Sequence, residues 1–69
     1  MQSEFHNRLR ELRRQEKKRQ KDLAEFLHVT RVAVSRWELG LNEPKYETLI
    51  KIADFFEVSA DFLLGRKEI

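Results

Sequence analysis

Apolar residues recur along this chain at the three- and four-residue spacing that places side chains on one face of an α-helix. The pattern predicts a first helix over about residues 4–17, a short second helix from about residue 20, and a third over residues 31–38. A fourth follows the apolar stripe that ends at residue 56, and a last short helix covers residues 60–64. The stripes of the first four helices consist of Phe5, Leu9 and Leu12, then Leu23, Ala24 and Leu27, then Val34 and Trp37, and finally Leu49, Ile52, Ala53 and Phe56.

The boundaries of these helices carry residues that commonly begin and end helices. Thr30 and Ser59 suit the N-caps of the third and fifth helices, because a hydroxyl accepts a hydrogen bond from a free backbone N–H. Gly40 and Gly65 suit the left-handed conformation that ends a helix, and Pro44 indicates a loop between the third and fourth helices. With only two glycines and one proline, the chain offers few turns for strands or hairpins. The sequence therefore predicts an all-α fold, a compact five-helix bundle.

Composition limits the chain to one small domain over residues 1–69 and argues against an enzyme. Cysteine is absent, which excludes a disulfide framework and a thiolate zinc site. The two histidines, His6 and His28, lack a third ligand at metal spacing, and the serines lack a histidine and carboxylate partner set. No apolar run approaches the ~20 residues that span a bilayer, and the chain does not open on an apolar signal segment. We therefore expect a cytoplasmic protein with no catalytic residue, no metal, no cofactor and no domain for a small-molecule effector.

Charge is distributed unevenly along the chain. The formal net charge is only +2, but residues 8–21 hold eight basic and two acidic side chains. Residues 46–69 hold three basic and five acidic side chains. The basic run is typical of a solvated helix whose cations lie near its C-terminal end, where they interact favourably with the helix dipole. It indicates a nucleic-acid-binding surface only if it lies beside an element that contacts the bases.

Residues 20–40 describe two short helices joined by a turn at residues 28–30. Ala24 has the small side chain needed where the second helix packs closely on the third, while Val34 and Trp37 direct the apolar side of the third helix inward. The opposite side is then a short, charged and hydrogen-bonding face of a protruding helix, which fits the major groove of double-stranded DNA, about 12 Å wide. The outward residues are Arg31, Val32, Ser35 and Arg36, with Ala33 at the edge.

Five segments, in order and at the expected spacing, resemble the Cro/repressor-type (XRE-like) helix-turn-helix family of phages and bacteria. They are LRELR (9–13), QKDLA (20–24), VTRVAVSRWELG (29–40), PKYETLIKIA (44–53) and VSADFLLG (58–65). The resemblance covers residues 9–64 and places the helix-turn-helix at residues 20–39. It implies a five-helix bundle of the phage-repressor type, a family whose members are mostly dimeric transcription regulators.

The resemblance also implies roles for individual residues. It places Arg31, Val32, Ala33 and Arg36 where members of the family usually contact base edges. Arg13 and Glu38 stand at positions that often form an ion pair between the first and third helices. The residues implied for phosphate contact or for bracing the recognition helix are Arg19, Gln20, Thr30, Ser35, Asn42, Lys45 and Tyr46.

Some positions depart from the family pattern. His28 stands where the turn usually has glycine, and histidine is among the residues more tolerant of a positive φ. Arg19 replaces the usual serine or threonine cap of the second helix, and Lys45 is an unusual cap for the fourth. Glu43 adds a negative charge to a loop that often approaches phosphate. The sequence thus leaves open how the second and fourth helices begin.

Large apolar side chains near the C-terminus exceed what one small core obviously needs. In one interpretation they simply cover the bundle, and in the other they form a surface on which two copies of the chain associate. The predicted dimer patch consists of Phe55, Phe62, Leu64 and Ile69.

These observations predict a sequence-specific double-stranded DNA-binding transcriptional regulator, a repressor that acts as a dimer on a palindromic operator. The alternative is a protein-interaction module, such as an antitoxin or another component of a toxin-antitoxin or restriction-modification operon. The expected partners are double-stranded DNA and a second copy of the chain, with a regulatory protein as a further candidate. No membrane and no small-molecule effector is expected.

Overall fold

The computed structural model describes residues 4–66, and all the regular secondary structure in this range is α-helical. The helices are α1 (Phe5–Gln15), α2 (Gln20–Leu27), α3 (Arg31–Glu38), α4 (Tyr46–Phe56) and α5 (Ala60–Leu63). The predicted five-helix bundle is therefore confirmed, although α1 and α5 end slightly earlier than the sequence pattern predicts. Within the described range, no helix has the length and apolar character required to cross a bilayer.

The core lies where all five helices meet, and each helix contributes one side chain that is fully shielded from solvent. These side chains are Leu9, Leu23, Val34, Ile52 and Leu63, each 0% exposed. Full burial of such a side chain contributes about 1.5–3 kcal/mol. α3 packs against both α1 and α2, while α4 packs against α2 and α5. The other buried apolar residues are Phe5, Leu12, Ala24, Leu27, Trp37, Ala53 and Phe56.

The helices begin with different solutions for their free backbone N–H groups. Thr30 and Ser59 cap α3 and α5 as predicted, because each hydroxyl accepts a hydrogen bond from the backbone N–H three residues later, at 3.1 and 3.0 Å. The guanidinium of Arg19 has no acceptor atom and cannot cap α2 in this way. Instead, Oδ2 of Asp22 accepts a hydrogen bond from the Arg19 backbone N–H at 2.8 Å, which is one half of a capping box. α4 begins after Lys45 without a side-chain cap.

All five helices end in the same way. Each is followed by a residue in the left-handed conformation, and the next N–H donates to the carbonyl five residues earlier at 2.9–3.0 Å, which is the Schellman motif. Gly40 and Gly65 end α3 and α5 as predicted, and His28 fills the turn position with a positive φ. The left-handed residues are Lys17 (φ 57°), His28 (φ 59°), Gly40 (φ 76°), Glu57 (φ 56°) and Gly65 (φ 79°).

Replacing Glu57 by glycine is expected to stabilise the domain. An L-residue in the left-handed region costs about 1–2 kcal/mol that glycine avoids, although glycine also gains freedom in the unfolded chain. We expect Glu57→Gly to raise the free energy of unfolding by about 1 kcal/mol, measured by thermal and urea unfolding. Glu57→Ala is the matched control, because it removes the same charge but keeps the Cβ atom. Equal stabilisation by both variants would show that backbone strain is not the cause.

Candidate nucleic-acid interface

One side of α3 lies in the core and the other faces solvent. Val34 and Trp37 are buried, and Ala24 of α2 is 4% exposed, in agreement with the small side chain required between α2 and α3. Three of the four predicted base-contacting residues therefore lie on the open side of the helix, while Ala33 packs partly against the core. Arg31, Val32 and Arg36 are exposed there, whereas Ala33 and Ser35 are half-buried.

Glu38, the last residue of α3, is the one buried polar or charged residue in the described part of the chain, at 3% exposure. Arg13 of α1 forms the predicted ion pair with it: Nε donates to Oε2 at 2.6 Å, and Nη2 donates to Oε1 at 3.0 Å. This hydrogen bonding and the negative charge of Glu38 raise the pKa of Arg13. Nη1 of Arg13 also donates to the carbonyl of Lys18 at 3.0 Å. The pair thus ties α3 to α1 and to the loop before α2.

Gln20, the first residue of α2, links this buried pair to the exposed side of α3. Its Nε2 donates to Oε1 of Glu38 at 3.0 Å. Its Oε1 accepts a hydrogen bond from Nη1 of Arg31 at 3.1 Å. Gln20 thus contacts both ends of α3, and its role in bracing that helix or in contacting phosphate stays a prediction.

Asn42 supports the second exposed arginine of α3. With its amide oriented to satisfy both neighbouring groups, Oδ1 accepts a hydrogen bond from Nε of Arg36 at 2.9 Å, and Nδ2 donates to the Leu41 carbonyl at 2.7 Å. Five residues separate Arg31 from Arg36, which corresponds to about 140° around the helix axis after a full turn. The two arginines are accordingly held by different elements, one by the start of α2 and the other by the loop after α3.

Arg19, an expected phosphate contact, is engaged by a neighbour in the free protein. Its Nη2 donates to Oδ1 of Asp22 at 3.0 Å, and its Nε lies 3.3 Å from Oδ2. The hydrogen bonds from Arg19 lower the pKa of Asp22. The sequence interpretation missed Asp22, although an acidic residue three positions after an N-cap is the signal of a capping box.

The remaining residues expected at phosphates lie at the starts of α3 and α4 and within α3. Lys45 and Tyr46 are exposed where α4 begins, and the Tyr46 side chain is the most open of the large apolar residues described, at 76%. Thr30 is exposed at the start of α3, where its hydroxyl caps the helix, and Ser35 is half-buried. Their contacts with DNA stay predictions.

The sequence pattern of the helix-turn-helix family HTH_3 matches residues 9–63, most of the chain. The chain belongs to this helix-turn-helix family. The matched range agrees within one residue with the resemblance to the Cro/repressor type over residues 9–64, so that prediction is confirmed.

Two bacterial relatives contain this helix-turn-helix domain. The uncharacterised HTH-type transcriptional regulator YqaE of Bacillus subtilis (strain 168) is 43% identical over 60 residues, which cover 87% of this chain and 52% of YqaE. The HTH-type transcriptional activator BcrR of Enterococcus faecalis is 42% identical over 66 residues, which cover 96% of this chain and 32% of BcrR. The chain therefore spans about half of the one relative and about a third of the other.

Solved structures share the same arrangement of helices. The P22 c2 repressor, crystallised in complex with synthetic operator 9T, matches with a TM-score of 0.85 and 33% identity over 91% of this chain and 96% of the repressor chain. A transcriptional regulator from Listeria innocua matches with a TM-score of 0.89 and 31% identity over 94% of this chain and 61% of that chain. The helix-turn-helix domain is therefore of the phage-repressor type.

The predicted dimer patch lies on the α4 and α5 side of the helix-turn-helix domain. Phe55, Phe62 and Leu64 are half-buried and pack against the core of their own chain, while Ile69 lies outside the described residues. Phe55 contacts Phe26 at 4.8 Å between ring centroids, and the guanidinium of Arg8 lies 4.5 Å above the ring of Phe62. These side chains thus cover the bundle, and their role between two copies stays a prediction.

No group of three or more His, Cys, Asp or Glu side chains within residues 4–66 is placed to hold a metal ion. Every buried side-chain nitrogen and oxygen atom in the same range has a hydrogen-bond partner. The buried polar side chains of residues 4–66 are therefore all paired within the protein.

Arg13→Ala is expected to destabilise the domain strongly. The substitution leaves the Glu38 carboxylate buried without its cation, and breaking a buried pair in this way costs about 3–5 kcal/mol. Thermal unfolding should therefore show a large fall in the melting temperature. Arg14→Ala serves as the control, since Arg14 is exposed on the same helix. An unchanged melting temperature for Arg13→Ala would contradict the structural role of the pair.

Proposed function

We propose that the chain is a sequence-specific double-stranded DNA-binding transcriptional regulator. The observation that carries the proposal is the open side of α3, which exposes two arginines and Val32. Each arginine donates a hydrogen bond to the side-chain amide of a neighbouring residue. Support comes from the relatives, which are named as transcriptional regulators rather than enzymes, and from the P22 c2 repressor, whose structure contains an operator.

Base contacts follow from the chemistry of the exposed residues of α3. In the proposed complex α3 lies in the major groove, with its N-terminal residues nearest the base edges. The guanidinium of Arg31 matches O6 and N7 of guanine, and Val32, 58% exposed, suits the methyl group of thymine. Ala33 lies close to the same edge, and Arg36 reaches a base or a phosphate. The proposed half-site therefore contains a guanine and a nearby thymine.

Phosphate contacts would flank α3 on both sides. Lys45 and Tyr46 are exposed where α4 begins, and Arg19 and Gln20 stand at the start of α2. Asn42, which supports Arg36, lies in the loop before Lys45. Thr30 caps α3, the proposed recognition helix, and Ser35 lies within it. Phosphate contacts orient the protein and supply affinity but carry no sequence information directly.

Repression by a dimer is the form of regulation that we propose. One recognition helix covers only a few base pairs, so two copies related by a twofold axis would contact the half-sites of a palindrome about 34 Å apart. A dimer bound across a promoter would exclude other proteins from it. The likeness to the P22 c2 repressor supports repression as the form of regulation.

A binding-site selection experiment followed by affinity measurements tests the proposed base contacts. Arg31→Ala should cost about 1–3 kcal/mol on the selected site and relax the preference at one base pair, because its bidentate contact is lost. Lys45→Ala is the matched comparison. It should weaken binding to all sequences and lower the slope of log affinity against log salt by about 1.

Two outcomes would count against the proposal in different ways. Selection that yields no preferred sequence for the wild-type chain would refute sequence-specific binding. Unchanged base preferences for Arg31→Ala, with uniformly weaker binding, would show that the base-contacting side of α3 is wrongly assigned.

Association is tested by sedimentation of the chain with DNA of defined length. Two copies should bind the selected palindrome, whereas one copy should bind a DNA fragment that carries a single half-site. A single copy that saturates the full palindrome would contradict the proposed dimer.

A further inference from the structure

We propose that Glu38, which is buried and faces away from the bases, is a positioning residue that sets the preference for guanine through Gln20 and Arg31. The inference rests on the proposed function, since it concerns the base contact of Arg31. It goes further by assigning part of the sequence preference to a carboxylate inside the protein.

The first step is the continuity of the contacts. Glu38 Oε1 accepts a hydrogen bond from Gln20 Nε2 at 3.0 Å, and Gln20 Oε1 accepts one from Arg31 Nη1 at 3.1 Å. Exposure rises along this series: Glu38 is buried, Gln20 is half-buried and Arg31 is exposed. Two hydrogen bonds therefore connect the core with the outward side of α3.

The second step is the direction of these bonds. An ionised carboxylate accepts hydrogen bonds and donates none, so the Gln20 amide must turn its NH₂ group towards Glu38. The carbonyl oxygen of the amide then faces outward, where it accepts a hydrogen bond but cannot donate one. Position 31 thus has a hydrogen-bond acceptor beside it, which suits the guanidinium of Arg31.

The third step is the rigidity of the carboxylate. Arg13 donates a hydrogen bond to each carboxylate oxygen of Glu38, at 2.6 and 3.0 Å. The direction of the Gln20 amide is therefore fixed before DNA binds. Arg31 has five N–H donors, so a single bond to Gln20 leaves donors free for guanine O6 and N7.

The consequence is a pre-ordered arginine. A free arginine side chain samples many rotamers and loses this freedom on binding, whereas a braced one has already lost part of it. The gain applies only where Arg31 makes its base contact. Weakening the brace should therefore reduce the affinity for the guanine-containing site more than the affinity for other sites.

The test is a double-mutant cycle on two DNA sites. One is the selected site, and the other has a substitution at the base pair where Arg31→Ala relaxes the preference. Gln20→Met keeps the side-chain length but removes both hydrogen bonds. It should reduce the ratio of the two affinities about tenfold, equivalent to about 1.4 kcal/mol. In the Arg31→Ala background it should leave the ratio unchanged.

Glu38→Gln tests the buried end of the series. The new amide has a donor as well as an acceptor, so the Gln20 amide is free to reverse and turn its NH₂ group towards Arg31. The ratio should fall in the same direction as for Gln20→Met. Partial unfolding does not disturb this measurement, because a smaller folded fraction lowers both affinities by the same factor. Gln15→Met, an exposed change of the same type on α1, should leave the ratio unaltered.

The opposite results are equally clear. If Gln20→Met weakens binding to both sites by the same factor, and does so equally in the Arg31→Ala background, Gln20 acts as an independent phosphate contact and the inference is wrong. An unchanged ratio for Glu38→Gln would overturn the role of the carboxylate. Failure of the proposed function is distinguishable, since the wild-type chain would then show no difference between the two sites.

Discussion

The placement of α3 depends on one buried carboxylate. A buried charge costs several kcal/mol unless it is paired and hydrogen-bonded. Glu38, at 3% exposure, meets that condition by drawing Arg13 from α1 and Gln20 from α2 onto the end of α3. Apolar packing alone tolerates small rotations of a helix, whereas three directed hydrogen bonds do not. The buried group thus fixes the orientation of the helix whose other side bears the exposed arginines.

The fold was largely predictable because the apolar periodicity of the sequence and the residues at the helix ends indicate the same helices. The register of Val34 with Trp37 correctly predicted which side of α3 is buried, and Gly40 marked its end. The left-handed residues Lys17 and Glu57 carried no such signal, since neither residue type favours a positive φ. Their conformation follows from the packing of the helices on both sides, which a local pattern does not contain. This is why the predicted first helix extended to residue 17, whereas α1 ends at Gln15.

The candidate site was predictable as a set of residues but not as a set of contacts. Helical periodicity indicates which side chains point outward, and the resemblance to a family indicates the usual contacts of each position. Neither shows that Asn42 accepts a hydrogen bond from Arg36 or that Asp22 accepts one from Arg19. Those pairings depend on loop geometry and on competition between nearby groups. Only the Arg13 and Glu38 pair was predictable across a long separation, because it follows from the resemblance.

The partners of the three arginines divide them into two kinds. Arg31 and Arg36 each donate a hydrogen bond to a neutral amide, which adds no negative charge beside them. Arg19 is held by the carboxylate of Asp22, which offsets its charge and must be displaced or shared when a phosphate approaches. In the proposed complex, the neutral amides thus favour the base contacts of Arg31 and Arg36. Asp22 weakens the phosphate contact of Arg19, which is made equally with every sequence. The different partners of these arginines therefore favour discrimination between DNA sequences over affinity for DNA of any sequence.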